Sequence, residues 1–283
     1  MRFLYYLLLH IFTTHFIVLS AQTSPLQPAW QTAPTLLTCE SVLFHPGKEV
    51  LFVSCINGRP LDKDHNGFIA LVDLEGNIVE SKWVTGLNAP KGMGLSKDGS
   101  RLYVTDIDRL AIIDVPNRKI LRFVEVPGAL FLNDIDVAED GTVYFTDSDT
   151  GKLYAYKSGK LKTVMKDLDA PNGVLCEKDR VLIVSFAGKG IWAFNPETGK
   201  TRHWDIAIPA GDGFVPDGKG GYFISNWNGE VYHVRLSPTP QSHLILDTRS
   251  KNKNAADICF IPQRKLLLIP TFFHHTVEAY GVK

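Results

Sequence analysis

One phrase recurs along the chain and limits what it can fold into more than any other feature. It is fullest at residues 212–226, DGFVPDGKGGYFISN: a carboxylate and a glycine, a turn at Lys219–Gly221, then a short apolar strand. Further copies are PKGMGLSKDGSRLYVTD at 90–106, LNDIDVAEDGTVYFTD at 132–147 and PNGVLCEKDRVLIVS at 171–185. Looser ones are CESVLFHPGKEVLFVS at 39–54 and ADICFIPQRKLLLIP at 256–270. Their opening residues are Glu40, Lys91, Asn133, Asn172, Asp212 and Asp257. A repeat of about 40 residues is the period of a propeller or of a helical array. The apolar runs are short, β-branched or aromatic, and bounded by Gly, Asp and Asn, which selects strands over helices.

Each copy carries the strands of one blade. After a second strand such as LYVTD (102–106) comes a third such as RLAIIDV (109–115), then a more polar fourth such as ILRFVEV (120–126). The sixth copy has no fourth strand after it, and TLLT (35–38) is expected to fill that place. The sequence therefore predicts an all-β fold: a six-bladed β-propeller of four-stranded blades over residues 35–283, closed by the N-terminal segment. Closure removes sheet edges that would otherwise pair with other chains. A two-domain β-sandwich is the competing architecture, and the regular repeat disfavours it. In a propeller the six openers line one end of the central channel. The loops joining second and third strands reach the same end, including INGRPLDKDHN (56–66), NWNG (226–229) and TFFHH (271–275).

Residues 1–21 have the layout of a secretory signal peptide: Arg2, the apolar runs FLYYLLLHIF and FIVL, then small Ser20 and Ala21. Cleavage is expected after Ala21, leaving 22–34 as a linker and a secreted or periplasmic protein with no stable membrane insertion. An uncleaved anchor is the alternative; His10, Thr13, Thr14 and His15 interrupt the apolar run and weigh against it. The 30 basic and 30 acidic residues cancel, so no basic face for nucleic acid is expected. Apolar residues make up 45 % of the chain, enough for a large core. Cys39 and Cys55 flank a turn near Gly47, so they face each other across a hairpin. A disulfide is expected between them, with two buried thiols as the alternative; Cys176 and Cys259 are expected to stay free.

The openers Glu40, Asn133, Asn172, Asp212 and Asp257 bring hard oxygen donors around one axis, a set suited to Ca²⁺ or Mg²⁺ rather than Zn²⁺. Asx turns at strand entries are the plainer explanation for any one of them. His274 or His275 is a candidate base or gate on the same face, or simply part of a surface loop. Trp227, Phe131, Phe186 and Phe272 are candidates for an apolar pocket wall, with core packing as the alternative. No G-x-S-x-G, H-E-x-x-H or P-loop motif is present.

At these positions ES (40–41), ND (133–134), APNG (170–173) and GDG (211–213) resemble the SMP-30/gluconolactonase/LRE-like family, over residues 39–283. The resemblance implies a six-bladed propeller that hydrolyses a lactone or a related ester, with a divalent metal in the channel: Ca²⁺, or Mg²⁺, Mn²⁺ or Zn²⁺. Glu40, Asn172 and Asp212 then match the metal ligands, and Asp212 also the catalytic base or nucleophile. Asn133 matches a position near metal and substrate, and Lys91 and His274 join it as candidate contacts to a small-molecule substrate. The arginine that binds sugar lactones has no counterpart. The reading from a different class is a non-catalytic propeller that binds a ligand or partner and keeps Ca²⁺ for structure.

Overall fold

The structure is a computed structural model that describes residues 26–188 and 190–283. The expected signal peptide and its cleavage site lie outside the described residues. Six four-stranded antiparallel sheets surround a common axis, a six-bladed β-propeller. From the axis outward, blade one runs Cys39–His45, Val50–Cys55, Gly67–Val72 and Ile78–Leu87. The innermost strands of blades two to six are Pro90–Leu95, Leu132–Val137, Pro171–Cys176, Gly211–Pro216 and Cys259–Ile261. No helix of the described residues is long and apolar enough to cross a membrane.

Burial explains the residue pattern. Second and third strands are packed on both faces by neighbouring blades, so Gly67–Val72 is buried along its whole length. The fourth strand forms the rim, and Lys119–Glu125 is accordingly half charged and mostly exposed. Apolar clusters fill all six interfaces between blades. Phe52 and Val104 lie between blades one and two, and Val184 and Ile224 between blades four and five. Val53 and Leu268 lie where the last blade meets the first.

Closure comes from the N-terminal side, as the repeat predicts, but through a different segment. Leu26–Gln31 pairs antiparallel with Val277–Val282 and completes blade six. This strand falls within the stretch expected to be a linker, and TLLT is not a strand. The Leu36 N–H donates to His275 O at 3.1 Å and its side chain is buried in the core beside Cys39. Being apolar, it was drawn inward as a plug and not as a rim strand.

The hairpin of blade one sets Cys39 opposite Cys55, in the expected register. Both are nonetheless free thiols. The Cys39 thiol donates to Thr276 O at 3.2 Å, so it is directed toward blade six. Facing Cα positions do not make a disulfide unless the two sulfurs also meet.

Candidate metal centre and substrate cavity

Five openers owe their orientation to the same backbone irregularity. In blades one to five, pairing of the innermost strand slips at the opener: between Cys39 and Ser41, Pro90 and Met93, Leu132 and Ile135, Pro171 and Val174, and Gly211 and Phe214. A β-bulge of this kind frees residues from the ladder and re-aims their side chains. Here they turn into the channel, where Glu40, Lys91, Asn133, Asn172 and Asp212 all line one cavity of about 480 Å³.

A hydroxyl in the second strand holds the bulges of blades one, three and five. Ser54 Oγ accepts from Ser41 N at 3.0 Å, Thr146 Oγ1 from Asp134 N at 3.2 Å and Ser225 Oγ from Gly213 N at 2.8 Å. Second-strand hydroxyls also donate to the next blade: Thr105 to Asn133 O, Thr146 to Asn172 O at 2.8 Å and Ser225 to Ala256 O at 2.7 Å. Sequence reasoning passed over these residues, although the Ser or Thr near the end of each second-strand phrase was a visible signal. Blades also approach closely here. A Cβ on Gly173 would lie 2.0 Å from Asp212 O, so that position admits only glycine.

The cavity floor contains an unusual set of atoms. Glu40 Oε2, Asn133 Oδ1, Asn172 Oδ1 and Asp212 Oδ1 are buried without a hydrogen-bond partner. The Asn133 amide donates through Nδ2 to Ser148 Oγ at 3.1 Å, which leaves its oxygen as the free atom. Buried polar atoms are nearly always satisfied, so four orphaned oxygens from four blades require a cause. Two carboxylates and two amide oxygens, without sulfur or imidazole, fit a hard divalent cation. Among the described residues no group of three or more His, Cys, Asp and Glu side chains has metal-holding geometry, so the set depends on its two amides.

The electrostatics agree with the geometry. Burial, then the charges of Asp212 and Asp257, push the Glu40 carboxyl well above the usual carboxylate range, and Lys91 opposes the rise. Burial and then Asp257 raise Asp212 in the same way. Lys91 is pulled down to about 8 by burial, against the pull of Glu40, Asp106 and Asp149. Its ammonium donates to Pro60 O at 3.0 Å and Ala89 O at 3.3 Å, and lies 4.4 Å from the centre of the Phe131 ring.

Two predicted residues stand apart from this group. Asp257 does not line the cavity; its Oδ2 accepts from Ser41 Oγ at 2.5 Å and its N–H donates to Glu40 O at 3.0 Å, joining blade six to blade one. His274 does not line it either. Its loop presents Phe272 and Phe273 instead, and His275 Nδ1 accepts from Thr38 N at 2.9 Å. Two aspartates, Asp106 and Asp147, fix the loops of this face. Asp106 accepts from Asn88 N and Ala89 N, just before Lys91, and Asp147 from Leu130 N and Phe131 N, just before Asn133. A larger cleft of about 760 Å³ on the outer strands, near Arg101, Tyr103 and Arg122, contains none of the orphaned atoms.

No protein-family model matches the chain, and no curated protein matches it in sequence. Solved structures do. A virginiamycin B lyase from Staphylococcus aureus, a catalytically inactive histidine-to-alanine variant with quinupristin, is 16 % identical over 91 % of this chain and 99 % of its own, with a TM-score of 0.64. A streptogramin B lyase is 14 % identical over 91 % and 97 %, with a TM-score of 0.66. A candidate gluconolactonase is 16 % identical over 92 % and 94 %, also with a TM-score of 0.66. At these identities the likeness establishes the fold: the chain is a six-bladed β-propeller of the same architecture as these lyases and the candidate gluconolactonase.

Proposed function

We propose that this protein is a divalent-metal-dependent hydrolase of a lactone or a related ester, as its resemblance to the SMP-30/gluconolactonase/LRE-like family implies. The observation that carries the proposal is the set of four buried, unpartnered oxygens of Glu40, Asn133, Asn172 and Asp212 on one cavity floor. A bound divalent cation supplies Lewis-acid polarisation of a carbonyl and offsets the two carboxylates. The Asp212 carboxylate takes a proton from the attacking water and returns it to the leaving alkoxide as the acyl C–O bond breaks. Lys91 has donated two of its three N–H groups to carbonyl oxygens, and the third is available to the carbonyl oxygen as negative charge develops there. The inactivated lyase neighbour lost a histidine; no histidine lines this cavity among the described residues, which supports a carboxylate as the proton acceptor. The reading includes export with a cleaved N-terminal signal peptide, which intact-mass analysis of the protein from its native host would test.

Calorimetric titration with Ca²⁺ and Mg²⁺, alongside hydrolysis assays on a lactone and ester panel, tests the assignment. Wild type is expected to bind one divalent ion and to lose hydrolysis on chelation. Asp212→Asn is expected to lower both metal affinity and turnover by at least about 100-fold, given the loss of a charged donor and of the base. Absence of divalent-ion binding to wild type would sink the site. Tight binding without hydrolysis of any lactone or ester would favour a binding propeller with a structural ion.

A further inference from the structure

We propose that the substrate is an apolar lactone or ester, one bearing an alkyl or aryl group, and not a polyhydroxylated one; this rests on the hydrolase reading above. The polar openers form only the floor of the cavity. Its walls are Phe131, Phe186, Trp227, Phe272 and Phe273, contributed by blades three to six. Trp227, Phe272 and Phe273 pack edge to face, with ring centres 4.7 Å apart for Trp227–Phe272 and 4.8 Å apart for Phe272–Phe273. Such mutual contacts hold the rings in place before any ligand arrives.

The mouth continues the wall into solvent. Among the described residues eight large apolar side chains are exposed. Three of them, Val79, Leu121 and Leu244, lie on outer strands. The other five, Leu37, Leu61, Leu130, Phe186 and Phe273, are on or beside the loops around the cavity, with Phe273 63 % exposed. Scattered exposed apolar residues need no explanation, but their concentration around one opening marks a surface that something apolar covers.

Hydroxyl groups would find little on these walls. Ser148 Oγ already donates to Pro171 O at 2.7 Å and accepts from Asn133 Nδ2. Arg59 is paired with Asp62 through Nε at 2.9 Å. The terminal NH2 groups of Arg59, the Asp149 carboxylate and the third N–H of Lys91 remain as exceptions. A polyhydroxylated ring would exchange its water for aromatic carbon at most of its hydroxyls and lose those hydrogen bonds. An alkyl or aryl substituent gains by the same transfer. About 480 Å³ holds a lactone ring together with such a substituent.

The test is calorimetric binding of non-hydrolysable δ-valerolactams to the Ca²⁺-loaded protein: a series with lengthening alkyl chains, and the polyhydroxylated gluconolactam. The dissociation constant is expected to fall about fourfold per methylene over the first few, the effect of ~0.8 kcal/mol per buried CH₂. Gluconolactam should bind no tighter than the unsubstituted ring. Phe186→Ala and Phe273→Ala remove exposed side chains and are expected to fold. Each should flatten the chain-length dependence while Ca²⁺ affinity stays unchanged. Tighter binding of gluconolactam than of an alkyl lactam of equal size, or affinity independent of chain length, would overturn the proposal. Hydrolysis that prefers polyhydroxylated lactones would overturn it while leaving the hydrolase reading standing. Chain-length-dependent binding without hydrolysis of any lactone would uphold the apolar ligand class and sink the hydrolase reading.

Discussion

Asp257 opens the sixth repeat yet serves a different end from the other acidic openers, because Ser41 and the backbone of blade one claim it. Burial raises its carboxyl to about 7, with hydrogen bonds to Ser41 and Asp134 working against the rise. Burial also raises Asp136 to about 6. An aspartate in the unfolded chain titrates near 3.9. A raised value means that the native state holds the proton more tightly, so stability falls as pH rises between the unfolded and folded values. This contribution is whole below about pH 4 and lost by about pH 7. Chelator-treated protein should therefore melt at progressively lower temperature from pH 5 to 7.5, by about 2–4 °C for each kcal/mol lost. Asp257→Asn, which still accepts from Ser41, should reduce that slope. A melting temperature flat across this window, measured by scanning calorimetry, would refute the titration argument. At this scale the sequence revealed which residues open the repeats. Asp257 stood outside the ligand set there, as a residue organising the closing blade; that its partner is Ser41 depends on the two lying opposite each other in the closed ring.

Strands were the legible elements. Period, β-branched content and turn residues placed the six inner strands, because each blade must bury both faces of its middle strands and the composition follows that need. The bulges were not legible, since each adds one residue at the very start of a short inner strand, before the apolar alternation begins. Their trace was the hydroxyl one strand away, whose importance depends on contacts across 26 residues for Thr146 and Asn172. Most of the cavity wall was legible: Phe131, Phe186, Trp227 and Phe272 line it as expected, and only Phe273 is added. The sequence TFFHH contains two candidate pairs, and backbone geometry presents the phenylalanines to the cavity while the histidines turn aside. The hydroxyl can be tested directly. Thr146→Val keeps shape and volume but leaves the Asp134 N–H without its acceptor and Asn172 O without its donor. Each buried unsatisfied group costs about 1–3 kcal/mol. Urea denaturation should show a loss of about 2–6 kcal/mol for the two groups together and weakened metal binding, since the bulges bearing Asn133 and Asn172 both lean on this hydroxyl. Thr146→Ser should restore most of both. A Thr146→Val variant as stable as wild type would show that the bulges hold themselves.

At the scale of the whole molecule the question is what keeps a ring of six blades shut. Five interfaces join blades that are consecutive in the chain. The sixth brings together residues more than 200 positions apart, as in the bonds Ser41–Asp257 and Cys39–Thr276. Non-local contacts must offset the entropy of closing a long loop. The fold meets that need with a strand from the far end of the chain. Leu26–Gln31 completes the last sheet, Leu26 is buried between blades five and six, and Trp30 packs against the cluster between blades six and one. Residues 26–31 therefore close the blade through which the proposed metal site of blades one, three, four and five is held in a ring. A variant lacking residues 26–31 exposes the backbone edge of Val277–Val282, and an uncovered edge pairs with other chains. It is expected to melt well below wild type and to form concentration-dependent oligomers in size-exclusion chromatography with light scattering. An ion at the proposed site would bind only the closed ring, so Ca²⁺ should recover part of the lost melting temperature by mass action. A monomeric variant with wild-type melting temperature would mean that the contacts of Asp257 and Leu36 suffice to shut the ring, and that the closing strand is dispensable.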